Sequence, residues 1–318
     1  MNKPVLVVVV PCYNEEEVLP KTAPMFKAKI DELVLRGAIS EKSFVLFCND
    51  GSKDGTWELI SRFATEDRVF RGISLSRNRG HQNVLLAGLM EAKDLADVVI
   101  SVDCDGQDDV DAMNEMVDKF GRGAEIVYGV RNSRKTDTWF KRTTAQVFYR
   151  LMSALGAEVV YNHADYRLVS ARALRAFAAY GEVNLFLRGI FPLIGFKSDV
   201  VYYERHKRIE GESHYPLLKM LNFAWDGVTN MSVRPIRIIC GLGVLISFLS
   251  ILMIGWGLFS WFTGRTVPGW TSMAIVSSLI GGVQLISIGV IGEYVGKIYF
   301  ETKRRPRYIV AEKTYGVA

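Results

Sequence analysis

Two aspartates, Asp103 and Asp105, directly follow a short apolar run and have the residue type and spacing of a site for a divalent cation. Residues i and i+2 of an extended chain point to the same side, so both carboxylates can face one ligand. Hard oxygen donors of this kind suit Mg²⁺ or Mn²⁺ bridging a diphosphate. The competing interpretation is an acidic loop that only caps the helix predicted after Val110.

Two further polar segments follow apolar runs nearer the N-terminus. Residues 11–15, Pro-Cys-Tyr-Asn-Glu, can place an aromatic ring and a carboxylate beside a base and a ribose. In residues 49–56 glycines permit a tight turn, and Asp50 can accept a hydrogen bond from a nucleobase or a ribose hydroxyl. Helix capping by Ser52 or Asp54 explains this second segment equally well.

Short apolar, β-branched runs alternate with longer amphipathic stretches up to about residue 129. This alternation predicts a mostly parallel α/β sheet, in which ligands bind at the carboxyl ends of the strands. All three polar segments stand at such ends. The predicted strands are Val5–Val10, Phe44–Phe47, Phe70–Leu75, Val98–Val102 and Ile126–Gly129, and the predicted helices are Thr56–Thr65, Asn83–Ala92 and Val110–Phe120.

The C-terminal part of the chain contains two long uncharged stretches. Ile238–Phe262 would rise about 37 Å as a helix, against about 30 Å for the hydrocarbon core of a bilayer. Val267–Gly292 follows a short turn that contains glycine and proline, so the pair is predicted to form a transmembrane hairpin. A buried hairpin in the core of a soluble protein is the alternative.

Lysine and arginine flank these stretches asymmetrically. Arg234 and Arg237 precede the first stretch, and a group of basic residues after Gly296 follows the second, whereas the connecting turn holds only Arg265. The positive-inside rule therefore predicts that the N-terminal domain and both termini are cytoplasmic. The expectation is a multi-pass protein of the cell (inner) membrane.

The 318 residues carry a formal net charge of +5, and the basic residues lie mainly beside the apolar stretches and in residues 205–208. This local distribution argues against a nucleic-acid partner. The four separated cysteines favour neither a zinc site nor a disulfide framework. The predicted division is a domain over residues 1–214, an amphipathic juxtamembrane segment over 215–235, two transmembrane helices over 236–300 and a basic cytoplasmic tail over 301–318.

The order of the polar segments resembles that of the family 2 glycosyltransferases, in particular the polyprenyl-phosphate group of dolichol-phosphate mannosyltransferase and bactoprenol glucosyltransferase. The resemblance covers essentially the whole sequence and implies a GT-A fold, a Rossmann-like and mostly parallel α/β sheet, with a C-terminal transmembrane hairpin. The matching segments are residues 11–15, 49–56, 76–78, 103–109, 129–131, 164–168, 188–189, 205–215 and 292–297.

The resemblance also implies roles for single residues. The nucleotide would contact Pro11, Tyr13, Glu15, Asp50, Asp103 and Gln107. Asp103 and Asp105 would hold the metal, Mg²⁺ or Mn²⁺. Asp105 and Asp165 would be catalytic, with Asp165 near the acceptor, where it would orient a phosphate that is already ionised more than deprotonate it. Guanidinium groups bind phosphate oxygens well, although surface arginines are often only solvated. The phosphate-binding residues would be Arg131, Arg205, Arg208 and Ser213.

Some positions depart from the family pattern: Gly106 replaces leucine, Asp109-Val110 replaces a proline pair, and His214 replaces lysine, which puts a direct role of His214 in doubt. The implied reaction is inverting transfer of one sugar, with UDP-glucose the favoured donor, to undecaprenyl or dolichyl phosphate. One alternative is a processive polysaccharide synthase, whose Gln-x-x-Arg-Trp signature is absent from the sequence. Another is a non-catalytic, membrane-anchored protein that binds nucleotide sugars. A further candidate partner is a second copy of this chain, in a homo-oligomer.

Overall fold

The computed structural model describes residues 3–131, 163–184, 186–206, 229–230, 232–264 and 269–316. The strands are β1 Leu6–Cys12, β2 Phe44–Asn49, β3 Phe70–Leu75, β4 Val98–Ser101, β5 Ile126–Arg131, β6 His163–Ser170, β7 Ser198–Tyr203 and β8 Val310–Lys313. The helices are α1 Leu19–Leu35, α2 Thr56–Glu66, α3 His81–Ala92, α4 Ala112–Gly121, α5 Ala171–Phe177, α6 Leu187–Leu193, α7 Arg234–Phe262 and α8 Trp270–Lys303.

These strands form one sheet in the order β7-β5-β6-β4-β1-β2-β3-β8. The pairs among β1, β2, β3 and β4 are parallel, as is the pair of β5 and β7. In contrast, β6 runs antiparallel between β4 and β5, and β8 runs antiparallel to β3 at the edge. The predicted α/β class with a mostly parallel sheet is therefore confirmed.

The apolar core lies on both faces of the sheet. Along β1, Leu6, Val8 and Val10 pack on one face in the cluster that includes residues of α1 and α4. Val7 and Val9 pack on the other face with residues of α3 and α5. A strand that is buried on both faces reads as a continuous apolar run, which is the pattern of residues 5–10.

All five predicted strands are present, β3 with the predicted bounds and the other four with shifted ends, but the sequence analysis did not predict β6, β7 or β8. The sequence of β6 does not read as a buried strand, because the charged residues Asp165 and Arg167 lie within it. The Arg167 side chain is nevertheless 0% exposed. Buried arginine is rare unless it is paired, so no periodicity rule finds such a strand.

The C-terminal segment is part of the sheet, although the sequence analysis assigned residues 301–318 to a tail. Val310–Lys313 pairs with β3, and Trp57 Nε1 donates to Glu312 Oε2 at 3.0 Å. The Gly72 N–H donates to Thr314 Oγ1 at 2.8 Å. A short edge strand with two charged residues carries little sequence signal, because edge strands are often charged.

Helices α7 and α8 contain two segments that are long and apolar enough to cross a membrane, Arg234–Ser260 and Leu279–Lys303, with mean hydropathy 2.6 and 1.5. Neither apolar window is buried, which does not fit a core hairpin of a soluble protein. Helix α8 continues to Lys303, beyond the predicted end at Gly292. Most of the predicted juxtamembrane segment, residues 215–235, lies outside the described residues.

Candidate active site

The polar segments found in the sequence meet at one edge of the sheet, where β1, β2, β3 and β4 end. Because β6 is antiparallel to β4, its first half lies at this same edge, and Arg167 pairs with Ser101. The Ser101 hydroxyl also donates to the Asp165 carbonyl at 2.5 Å. This pairing brings Asp165 beside the loop that holds Asp103, although the two are far apart in the sequence.

The loops after β1 and β2 are joined by hydrogen bonds. Asn14, which has a positive φ of 54°, donates its N–H to Ser52 Oγ at 3.0 Å, and its Oδ1 accepts from the Lys53 N–H at 2.9 Å. The Glu15 N–H donates to Thr56 Oγ1 at 2.8 Å. These contacts fix the two predicted nucleotide-binding segments relative to each other.

Within the first segment, the exposed turn begins after Cys12. Pro11 is a buried residue of β1 and pairs with Cys48 of β2. On its other side, the pairing of β1 with β4 ends at Val9 and Ser101, before Pro11. The missing N–H of Pro11 therefore interrupts no hydrogen bond to β4. The Tyr13 side chain, by contrast, is 40% exposed at the edge of the sheet. The aromatic ring of this segment is thus available to a ligand.

Asp50 is almost fully buried and contacts the backbone of the loop before α3. Its Oδ1 accepts from the Arg79 N–H at 2.7 Å and its Oδ2 from the Gly80 N–H at 2.8 Å. Burial raises the pKa of Asp50, and these hydrogen bonds only partly offset it. The adjacent Gly51 has φ +63°, and a Cβ there would lie 2.6 Å from the Arg77 carbonyl carbon. Asp50 and Gly51 therefore position the start of α3.

His81, the first residue of α3, lies between two of the predicted site carboxylates. Its Nε2 is 3.7 Å from Asp103 Oδ1 and 3.6 Å from Asp165 Oδ2. Burial would lower the pKa of His81, but the neighbouring carboxylates of Asp165 and Asp103 outweigh it and raise the pKa. The sequence analysis missed this residue. Its position in the sequence could have indicated it, because His81 follows Gly80 and lies three residues after segment 76–78, which matches the family pattern.

Burial and carboxylate neighbours shift the pKa of Asp103. Burial is the main cause, and the pKa rises to about 6 although His81 acts against the rise. The other carboxylates that contribute are Asp108, Asp165 and Asp105. Asp103 is therefore a carboxyl group that resists ionisation, and a bound cation would stabilise its charged form.

Asp165 is held by two guanidinium groups. Arg167 Nη2 donates to its Oδ1 at 2.6 Å, and Arg188 Nη2 donates to its Oδ2 at 2.9 Å. Burial opposes ionisation, but Arg188, His81 and Arg167 together hold the pKa of Asp165 well below its ordinary value. Such a carboxylate stays ionised and is a poor proton acceptor, which fits an orienting role better than that of a base.

Asp105, Gln107 and Arg205 lie together in the described structure. Asp105 is buried, and its Oδ1 accepts from the Gln107 N–H at 3.1 Å. The Gln107 side-chain oxygen accepts a hydrogen bond from Arg205, and its carbonyl accepts from the His206 N–H at 2.8 Å. The segment after β7 is therefore attached to the acidic loop. The predicted phosphate-binding residues Arg208 and Ser213 lie outside the described residues.

Arg131 contacts a buried carboxylate that the sequence analysis did not single out. Its Nη2 is 3.6 Å from Asp108 Oδ1, and its Nε donates to the Tyr203 hydroxyl at 3.3 Å. Tyr203 in turn donates to Asp108 Oδ1 at 2.6 Å. The Asp108 Oδ2 atom is buried without a hydrogen-bond partner among the described residues. Part of the Arg131 charge is thus balanced within the protein.

The described residues contain no group of three or more His, Cys, Asp or Glu side chains arranged to hold a metal ion. Asp103 and Asp105 nevertheless fit a cation that takes its remaining ligands from a substrate and water, as Mg²⁺ commonly does. The raised pKa of Asp103 points the same way, because a bound cation would stabilise the ionised form of this carboxylate.

Comparison with known proteins gives consistent matches. Residues 7–178 match the family model described as glycosyl transferase family 2. Uncharacterized glycosyltransferase YkoT of Bacillus subtilis (strain 168) is 50% identical over 97% of this chain and 92% of its own length. Bactoprenol glucosyl transferase of Shigella phage SfX is 36% identical over 96% of this chain and 98% of its own length. The solved structure of glucosyl-3-phosphoglycerate synthase from Mycobacterium tuberculosis covers 73% of this chain and 80% of its own, with 16% identity and a TM-score of 0.43.

Proposed function

Because this chain belongs to glycosyl transferase family 2 and is a glycosyltransferase, we propose that it transfers one sugar from a nucleotide sugar to a polyprenyl phosphate. UDP-glucose is the favoured donor, and undecaprenyl or dolichyl phosphate is the acceptor. The main support is the near full-length match to a relative named bactoprenol glucosyl transferase. The proximity of Asp103, His81 and Asp165 at the carboxyl edge of the sheet further supports a site for charged substrates there.

In this reaction an acceptor phosphate oxygen attacks the anomeric carbon of the donor sugar. The bond from that carbon to the diphosphate oxygen breaks, the nucleoside diphosphate leaves, and the configuration at the carbon is inverted. The acceptor phosphate is already ionised at neutral pH, so no strong base is required. Asp165, bound by Arg167 and Arg188, would orient the acceptor through the neighbouring basic groups.

We assign the nucleotide to the loops after β1 and β2. The exposed Tyr13 ring would stack on the base, with Glu15 beside it, and Pro11 and Asp50 would shape this pocket from within the fold. The diphosphate would lie next to Asp103 and Gln107. Arg205 is bonded to Gln107 and would contact a phosphate there; Arg131, Arg208 and Ser213 are the other proposed phosphate-binding residues.

We propose that Asp103 and Asp105 hold Mg²⁺ or Mn²⁺, which would stabilise the negative charge of the departing diphosphate. Asp105→Asn should lose most activity while the protein stays folded, because an amide is a weaker ligand than a carboxylate. The measurement is sugar transfer with added metal and with excess EDTA. Asp109→Asn, in the same acidic segment, is the matched control. Full activity in EDTA would contradict the metal requirement.

The protein is proposed to act at the cytoplasmic face of the cell membrane, anchored by α7 and α8. The two apolar segments, the exposed surfaces of both helices and the flanking basic residues support this placement. Strands β7 and β8, which lie on either side of the hairpin in the sequence, belong to one sheet. The presence of both strands in one sheet supports an even number of membrane crossings between them.

The test is mass spectrometry of lipid products after incubation of the purified protein with undecaprenyl phosphate and a panel of nucleotide sugars. The expected product is the lipid phosphate with one added hexose, formed best from UDP-glucose. Longer glycan products would favour a processive synthase instead. Turnover of the donor without any sugar on the lipid would reject polyprenyl phosphate as the acceptor.

A further inference from the structure

The last turn of the apolar helix α8 is bonded to the segment that leads into the acceptor side of the site. The Glu301 carboxylate accepts hydrogen bonds from the Val183 N–H at 2.9 Å and from the Asn184 N–H at 2.7 Å. It also accepts from Asn184 Nδ2 at 2.7 Å, and the same amide donates to the Lys297 carbonyl at 3.2 Å. Two consecutive residues of the catalytic domain are thus attached to α8.

These attachments lie close along the chain to Arg188. Helix α6 begins at Leu187, three residues after Asn184, and three residues of chain span at most about 11 Å. This short connection limits how far Asn184 and the first turn of α6 can move independently. Arg188, the second residue of α6, is the one that binds Asp165 Oδ2.

The start of α6 is also bonded to the rest of the site. The Leu187 N–H donates to Gln82 Oε1 at 3.1 Å, and Gln82 follows His81 on α3. The Leu187 carbonyl accepts from Arg167 Nη1 at 3.3 Å, and Arg167 binds Asp165 through its other nitrogen. The first turn of α6 thus contains Arg188 and contacts Arg167, the two arginines that bind Asp165.

We propose that Glu301 is a positioning residue, which couples the end of the α8 apolar segment to the Asp165–Arg188 pair and so makes turnover depend on the placement of α8. Glu301 touches no reacting atom in this proposal. Its carboxylate orders residues 183–184, this order places α6, and α6 places Arg188 on Asp165. The proposal rests on the proposed transfer reaction for its main readout.

The test is a double-mutant cycle between Glu301 and Arg188, measured on the full chain in lipid nanodiscs. Glu301→Gln keeps the shape of the side chain but turns one acceptor oxygen into an N–H donor that faces other N–H groups. We expect kcat to fall about tenfold with little change in the donor KM. A tenfold change is of the same order as the interaction energies that double-mutant cycles measure between coupled residues. Glu312→Gln removes a carboxylate of the same C-terminal segment that bonds Trp57 instead, and it is the matched control.

The double variant Glu301→Gln/Arg188→Gln distinguishes positioning from a general structural effect. If Glu301 acts through Arg188, the double variant is no slower than Arg188→Gln alone. A loss equal to the product of the two single losses would overturn the proposal, as would wild-type kcat in Glu301→Gln. A fall in melting temperature and donor affinity without any change in kcat would also overturn it.

Two further measurements keep the inference separate from the proposed function. If the wild-type protein transfers no sugar to lipid, the proposed function fails, and the same cycle is measured on hydrolysis of the nucleotide sugar. If Glu301→Gln does not fold, Asn184→Ala removes the side-chain contact from the other partner. That variant is expected to lower kcat by a smaller factor, again without further loss when Arg188 is replaced.

Discussion

At the residue scale, the Asp165 carboxylate accepts hydrogen bonds from two arginines, of which Arg167 is fully buried and Arg188 is partly exposed. Arg167 also lies over the Phe191 ring, with 4.6 Å from its Cζ to the ring centroid. Removing one partner of such a buried pair leaves an uncompensated charge and typically costs about 3–5 kcal/mol of unfolding free energy. Asp165 therefore has a structural role in addition to the proposed orienting one.

Asp165→Asn should lower the transfer rate by about 10²–10⁴-fold and also lower the melting temperature. Arg167→Gln breaks the same ion pair from the other side and serves as the matched control. If Asp165 also orients the acceptor, Asp165→Asn loses more single-turnover rate than Arg167→Gln at an equal loss of stability. Equal rates in the two variants, with equal donor affinity by calorimetry, would reduce Asp165 to its structural role.

The raised pKa of Asp103 predicts a pH dependence of stability in the absence of metal. The folded protein binds this proton with a pKa of about 6, whereas an unfolded aspartate has a pKa of about 3.9. The folded state therefore holds more protons between these values, and its stability falls as the pH rises through this window. Above about pH 6 the whole penalty of the buried charge is present.

Asp103→Asn should consequently melt at a higher temperature than the wild type at pH 8 in EDTA. This difference should shrink as the pH falls through 6 towards 4, where the wild-type carboxyl is neutral. Differential scanning fluorimetry in detergent measures it. Asp31→Asn, on the exposed side of α1, removes the same charge far from the cluster and is the control. A difference that does not vary with pH would contradict the prediction.

At the element scale, α3 packs unusually close to the sheet because it carries a glycine at the contact. A Cβ on Gly88 would lie 2.5 Å from both Cys48 Sγ and Val9 Cγ1, and both of these strand residues are fully buried. Helix α3 begins with His81, so this close contact also sets the distance between His81 and the ends of the strands.

Gly88→Ala should destabilise the protein by about 1–3 kcal/mol, since neither buried strand can move to admit the methyl group. Gly121→Ala is the matched control, because a Cβ at Gly121 in α4 meets no atom within 4 Å. That control should be neutral or stabilising by about 0.4–1 kcal/mol. Thermal unfolding of both variants is the measurement, and equal melting temperatures would show that α3 can withdraw from the sheet at no cost.

At the scale of the whole molecule, the sheet and the apolar hairpin constrain each other. Strand β1 near the N-terminus and strand β8 near the C-terminus lie in one sheet, while α7 and α8 lie between β7 and β8 in the sequence. A sheet cannot be divided by a bilayer, because its backbone hydrogen bonds would have to cross it. Both termini should therefore lie on the same side of any membrane that the hairpin crosses.

The distribution of lysine and arginine predicts that this side is the cytoplasm. Tags that contain a protease cleavage site, fused to either terminus, should resist an added protease in intact cells and be cut after the membrane is opened. A tag inserted in the turn between α7 and α8 is the control and should be cut in intact cells. Cleavage of a terminal tag from outside would contradict the predicted orientation.

The sequence by itself determined the features that depend on neighbouring residues. The Asp103–Asp105 spacing, the five strands of the N-terminal half and the two apolar segments are local patterns of residue type. The order of the polar segments also sufficed to identify the family, which the match over residues 7–178 confirmed. Each of these signals lies within a few residues or in one periodic stretch, so no knowledge of the tertiary contacts was needed.

Only the tertiary structure decided which distant residues meet. The antiparallel insertion of β6 beside β4 brings Asp165 to His81 and Asp103, and the charged pattern of β6 gave no sign of this pairing. The contact of Glu301 with residues 183–184 and the use of residues 310–313 as an edge strand likewise join segments more than 100 residues apart. Local periodicity reports which face of an element is buried, whereas the identity of the partner depends on the packing of the whole chain.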